Sequence, residues 1–211
     1  MSQRAAAVVR AAQKSRIIVS RVMVGLLFPL LLITPLTWTE SDSLGFAVET
    51  TGFFLIITGA FGRMWASLYV AGKKGKELVT TGPFSICRNP LYVSSLLIGL
   101  GIVAAFQNLL LVIPLVLFHL GCYFFTILAE ERELAMRFGD EYESYRKAVP
   151  RLLPALSQYR RGADTNGCML ISEGRVLKCL FESALFALLI VVAELIEQLH
   201  VWGLLPLLFR H

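Results

Sequence analysis

Apolar residues in this chain come in long runs, not in the short alternations of strands or the one-sided stripes of surface helices. Four such runs cover 22–38, 46–71, 91–106 and 109–129. A fifth, 176–196, carries Lys178, Glu182 and Glu194 and suits a partly buried or amphipathic helix as well as a crossing one. A membrane helix needs about 20 mostly apolar residues to cross about 30 Å of hydrocarbon. The pattern predicts an all-α polytopic membrane helix bundle of about five transmembrane helices. The first run holds Pro29 and Pro35, which membrane helices tolerate when neighbours satisfy the freed carbonyls. Only Gln107 and Asn108 separate the third and fourth runs, so these should form a tight antiparallel hairpin.

Composition agrees. Of 211 residues 56% are hydrophobic and 17% charged, against about 25% charged in ordinary soluble domains. The mean hydropathy is +0.66. These values exclude a disordered chain and a secreted disulfide scaffold, and leave no room for a bundle plus a separate soluble enzyme domain. Any chemistry must be built from the helices and their loops.

The net charge of +5 would suit nucleic acid, but its placement suits a membrane. Seventeen of the 20 basic residues fall in 1–21, 72–90 and 130–175, and none in 39–49. The positive-inside rule therefore places the N-terminus and the two later basic segments in the cytoplasm. The membrane is a bacterial inner membrane, or the endoplasmic reticulum in a eukaryote. The basic N-terminal stretch enters the first run without a small-residue cleavage site, so no cleavable signal is expected. Cys87, Cys122, Cys168 and Cys179 show no CxxC pair and no metal spacing, and are read as free thiols. Neither a nucleic-acid partner nor a metal is expected.

Several polar residues need a reason. Gly82-Pro83 turns the chain, Pro90 can occupy the first turn of the third span, and Arg88 and Asn89 flank that helix start with Tyr92 one turn inside. Free N–H groups there favour an anion, although a basic membrane-edge turn with Asn89 as N-cap is an equal alternative. Glu130 and Glu131 stand where the fourth span leaves the apolar layer, where carboxylates are costly unless paired or used. The helix is expected to run on, because Leu134, Phe138, Tyr142 and Tyr145 form a stripe at helical spacing. That stripe is read as packing, with Gly139 bending or breaking the helix and Val149-Pro150 ending it. Arg63, a charge inside the second span, should face protein or snorkel. His119 is read as a hydrogen-bonded bundle residue, and Gly99 and Gly101 as small-residue helix packing. Arg63, Arg88, Asn89, Glu130 and Glu131 could converge at the cytoplasmic edge of the bundle, at a site open to cytosol and to lipid.

Taken in order, Gly59, Arg63-x-Trp65-Ala66, Gly72, Gly82-Pro83-Phe84, Arg88-Asn89-Pro90-Leu91-Tyr92, Glu130-Glu131 with Leu134, Phe138-Gly139-Asp140-Glu141-Tyr142 with Tyr145, and Val149-Pro150-Arg151 with Pro154 resemble the isoprenylcysteine carboxyl methyltransferase and phospholipid methyltransferase superfamily. Each piece alone is weak; the ordered set is specific. The resemblance implies an integral membrane enzyme using S-adenosylmethionine on a lipid or lipidated small-molecule substrate. It implies cofactor contacts from Arg88, Asn89, Tyr92, Glu130 and Glu131, catalytic work by Glu130 and Glu131, and substrate contact at Arg63. The chain is then one membrane domain: a basic N-terminus (1–21), a four-span bundle (22–129), a cytoplasmic cofactor-binding segment after the fourth helix (130–154), a loop (155–175) and a C-terminal helix (176–211). The family often has His where Asn89 stands, Tyr for Phe84 and Arg for Ser85. The prenylcysteine branch carries an Arg near the positions of Phe125 and Thr126, so another lipophilic acceptor is favoured over a prenylcysteine. Two other readings compete: an NADPH-dependent membrane reductase of the sterol-reductase type, and a non-catalytic membrane scaffold.

Overall fold

The computed structural model describes residues 43–70, 77–107 and 109–161, with isolated positions between 177 and 202. The expected first span lies outside the described residues. Most of the fifth run does too, although Leu177, Phe181, Leu188, Val191 and Leu195 are helical. Among the described residues every regular element is a helix: α1 (Ser43–Val70), α2 (Pro83–Ile86), α3 (Pro90–Ala105) and α4 (Val112–Ala148). Short 3₁₀ turns cover Leu109–Leu111 and Leu156–Gln158.

Two of these helices, α1 and α4, are long and apolar enough to cross a membrane. The third apolar helix, α3, has 16 residues and rises about 24 Å, less than the hydrocarbon thickness. The fourth run enters through the 3₁₀ turn before becoming α-helical at Val112. It then continues, as its stripe predicts, through Glu130-Glu131 to Ala148. Between α3 and α4 the chain reverses at Phe106 and Gln107, the latter in the left-handed region at φ 50°.

Small residues bring α1 and α3 into backbone contact. A Cβ on Gly52 would strike the backbone nitrogen of Ala105, and one on Gly101 would come within 2.7 Å of the Gly52 carbonyl oxygen. Such contact is how helices associate where lipid removes the hydrophobic drive between them. Gly101 thus does what its sequence setting predicts, while Gly99 faces Leu115 of α4. On α4, Leu115, His119, Thr126 and Ile127 are buried, whereas Leu117, Leu120, Phe124 and Phe125 are exposed. A helix that shows its large apolar groups outward is arranged for lipid.

Gly139 bends α4 with φ 50° and ψ −124°, a conformation that glycine adopts without steric cost. Beyond it, Tyr142, Tyr145 and Val149 form a buried cluster with Leu78, Leu134, Ala135 and Phe138. The aromatic stripe is packing, while Arg132, Arg137, Glu141 and Lys147 are exposed. After Val149 the chain doubles back along residues 82–88. Arg88 N donates to Pro150 O at 2.9 Å, Ala155 N to Ile86 O at 2.9 Å and Gly82 N to Arg160 O at 2.8 Å. Gly82 has φ 60°, and a Cβ there would run into the ring of Tyr69. Residues 151–161, which include the described part of the expected 155–175 loop, are therefore a tethered strap.

Candidate active site

Three pieces of chain meet at the start of α3: the 82–92 segment, the middle of α4 and the strap. Pro90 opens α3, as expected, and its missing N–H costs nothing there. Asn89 occupies the N-cap position, but its side chain does not cap the helix. Its Nδ2 donates instead to Arg151 O at 3.1 Å and Glu131 Oε1 at 3.4 Å. Of the two alternatives for Asn89, the plain N-cap fails on geometry.

Adjacent residues on a helix point about 100° apart, and the two glutamates use that difference. Glu130 accepts from Tyr92 Oη at 2.9 Å. Glu131, 7% exposed, faces the other partners. Its Oε1 accepts from Arg151 Nε at 3.2 Å and its Oε2 from Arg151 Nη2 at 2.8 Å. Arg88 Nη2 lies 3.5 Å from Oε1. Two guanidiniums, Arg88 and Arg151, share the one buried carboxylate of Glu131. The Arg88 side chain is only 9% exposed, and its Nε and Nη1 make no hydrogen bond. The buried hydroxyl of Tyr142 is likewise without a hydrogen bond. It lies beside the Arg88 guanidinium, whose charge acts on it. Buried donors of this kind are expensive to leave unsatisfied, and in native sites they mark a missing partner.

The surroundings hold these groups in place. Cys87 is buried and unbridged, as expected of a free thiol. Its sulfur is 3.4 Å from the carbonyl oxygens of Arg151 and Leu152, and receives the Asn89 N–H at 3.4 Å. Burial pushes the thiol up to about 11, against smaller downward pulls from the Asn89 N–H and the Arg88 charge. Ser85 Oγ donates to Gly82 O at 2.7 Å and accepts from Arg160 N at 2.8 Å. Tyr145 Oη donates to Phe84 O at 2.7 Å. The ring of Tyr92 packs on Tyr123, 4.9 Å between centroids, and Tyr123 on His119 at 4.3 Å.

Of the residues singled out in the sequence, Arg88, Asn89, Tyr92, Glu130 and Glu131 come together. Arg63 reaches the same helix, α3. Its Nη1 donates to Ser95 Oγ at 2.9 Å, one turn further along α3 and facing protein. Sequence reasoning missed Arg151 and the buried Tyr142 hydroxyl. Arg151 left one trace, as a cation just beyond the Val149-Pro150 helix stop. Asking which charge offsets a carboxylate at the membrane edge would have pointed to it. Among the described residues no group of three or more His, Cys, Asp or Glu could hold a metal ion.

Comparison with known proteins places the chain in a family. The phospholipid methyltransferase family matches residues 43–141. The nickel-cobalt-cadmium resistance protein NccN of Alcaligenes xylosoxydans xylosoxydans is 30% identical over 182 residues, covering 86% of this chain and 80% of its own. The cobalt-zinc-cadmium resistance protein CzcN of Cupriavidus metallidurans is 36% identical over 156 residues, 74% of this chain and 70% of its own. Protein-S-isoprenylcysteine O-methyltransferase of Schizosaccharomyces pombe is 39% identical over 92 residues, 41% of this chain and 38% of its own. No solved structure matches. With its helices apolar enough to cross a bilayer, its clustered Arg88, Tyr92 and glutamates, and these relatives, the chain belongs to the phospholipid and isoprenylcysteine methyltransferase superfamily and is a membrane methyltransferase.

Proposed function

We propose that the chain transfers a methyl group from S-adenosylmethionine to a lipophilic acceptor at the cytoplasmic edge of the bundle. The acceptor is an isoprenylcysteine-like carboxylate or a phospholipid amine. The observation that carries this reading is the buried Arg88 guanidinium, with two of its nitrogens lacking a hydrogen bond. Such a place fits the amino-acid carboxylate of the cofactor, which would accept from both of those nitrogens. The cofactor brings an activated sulfonium methyl group, so the protein's contribution is position and exclusion of water.

In this reading the glutamates have different work. Glu131 already accepts from Asn89 and Arg151 and is ion-paired with Arg88, and its role is to hold Arg88 and the strap in place. Glu130, reached by Tyr92 Oη, is the carboxylate that takes a proton from an amine acceptor or receives the ammonium or ribose hydroxyls of the cofactor. Arg63, whose Nη1 donates to Ser95 Oγ one turn beyond Tyr92 on α3, is the candidate for contact with an acceptor headgroup. Methylating a carboxylate removes a negative charge, and carrying an amine to the quaternary ammonium fixes a positive one. Either would change what this chain's membrane presents to divalent cations, and relatives named for metal resistance make that the natural setting.

Calorimetry on detergent-purified protein tests the proposal, with S-adenosylmethionine as ligand, NADPH as control and the Glu130→Ala/Glu131→Ala variant beside the parent. We expect binding of S-adenosylmethionine that the variant loses, followed by transfer of labelled methyl groups into a lipid extract. Absence of binding in folded protein, or binding of NADPH alone, would overturn it.

A further inference from the structure

The strap has two sides. Through backbone bonds and Arg151 it is tied to residues 82–88 and to Glu131. Away from those ties it presents Leu153 (82% exposed), Leu156 (74%) and Tyr159 (49%), followed by Arg160 and Arg161, both exposed. Three large apolar side chains and two adjacent guanidiniums within 11 residues would be a poor surface in water.

The strap's position in the fold says what covers it. The ring of Tyr159 lies 6.0 Å from that of Trp65, centroid to centroid. Trp65 is on α1, five residues and so roughly 8 Å before the end of a helix long enough to cross a membrane. Paired Trp and Tyr near a span end mark the level of the lipid headgroups. At that level apolar side chains enter the acyl boundary and basic ones meet anionic headgroups. We infer that residues 151–161 dock on the anionic surface of the leaflet beside α1, with Leu153 and Leu156 as the apolar anchor and Arg160 and Arg161 as the electrostatic one.

The surface lies outside the Arg88–Glu131 cluster and requires neither cofactor nor acceptor, so it stands apart from the methyl-transfer proposal. It has a consequence for that cluster, because Arg151 begins the strap. A strap held by lipid keeps the Arg151 fork on Glu131.

The test uses the full chain in nanodiscs of phosphatidylcholine, alone or mixed with phosphatidylglycerol, and follows hydrogen exchange of peptides covering 151–161. Exchange should slow between about fivefold and about thirtyfold in the anionic discs, the range expected for one or two basic groups at such a surface. The Arg160→Gln/Arg161→Gln variant should lose that difference. Its fold is preserved because Arg160 engages residues 82 and 85 through its backbone. Leu153→Asp/Leu156→Asp should speed exchange in both discs, while peptides of α1 and α3 stay unchanged. Equal exchange in the two lipids, or a difference that survives removal of both arginines, would overturn the inference. Protection that followed protein concentration instead of lipid charge would assign the surface to a second copy and overturn it too.

Discussion

Arg151 engages Glu131 in a two-pronged pair, Nε to Oε1 at 3.2 Å and Nη2 to Oε2 at 2.8 Å, across 20 residues of chain. The planar fork of a guanidinium matches a carboxylate in a way that an ammonium cannot. Arg151→Lys should therefore keep the charge and still weaken S-adenosylmethionine binding about tenfold, and Arg151→Ala should also lower stability by about 1–3 kcal/mol. The Arg151 side chain is 37% exposed, which keeps the cost below that of a fully buried pair. Binding isotherms and thermal melts of the two variants check both expectations.

The two glutamates should separate in a pair of conservative variants. Glu131→Gln leaves Arg88 and Arg151 around a neutral amide, and a broken buried pair costs about 3–5 kcal/mol. Glu130→Gln should leave the melting temperature nearly unchanged and reduce turnover by about 10²–10⁴, the range for loss of a positioned proton acceptor. Melting temperature and single-turnover rate, measured together, decide the assignment. A reversed pattern would exchange the two roles.

Helix contact gives a third expectation. Gly101→Val sets branched carbons against the Gly52 carbonyl and the Ile56 side chain, both under 3 Å from the new Cβ. It should prevent α1 and α3 from closing and abolish recovery of folded protein. Gly121→Ala meets nothing within 4 Å and should be neutral or stabilising by up to about 1 kcal/mol. Size-exclusion profiles in detergent compare the two.

The Cys87 thiol yields a pH expectation. Its folded value, about 11, stands above its ordinary 9.0, so the native state holds the proton more tightly than the unfolded chain. The stability linked to this proton is complete below pH 9 and is lost as pH rises through 11. Native protein at pH 8 should leave Cys87 unmodified by a maleimide reagent, and denaturant should expose it. Mass spectrometry of the Cys87 peptide reads the result.

How much of this was legible in the sequence depends on the range of the interaction. Features set by local pattern were visible: the continuity of α4 past Glu130-Glu131, the bend at Gly139, the entry of α3 at Pro90 and the small-residue contact at Gly101. Each follows from backbone preference or helical periodicity within one turn or two. The expected bundle of about five helices went further than the described residues, which contain two helices fit to span and the shorter α3. Partnerships made by chain reversal were hidden. Asn89 resembled a cap because caps are local, yet its amide reaches 42 residues to Glu131 and 62 to the Arg151 carbonyl. Periodicity could not assign Arg151, because it links no residue beyond a helix stop to one in the middle of that helix.

The bend at Gly139 limits how the length of this region can vary. A straight helix would carry residue 151 about 30 Å from residue 131, whereas in the protein their side chains are 2.8 Å apart. Between those positions the chain must bend at one residue, pack two tyrosines and reverse at a proline. One inserted residue ahead of Tyr142 would rotate Tyr142 and Tyr145 by about 100° and take both hydroxyls out of register. Homologous chains that keep this site should therefore keep the 131-to-151 interval at constant length.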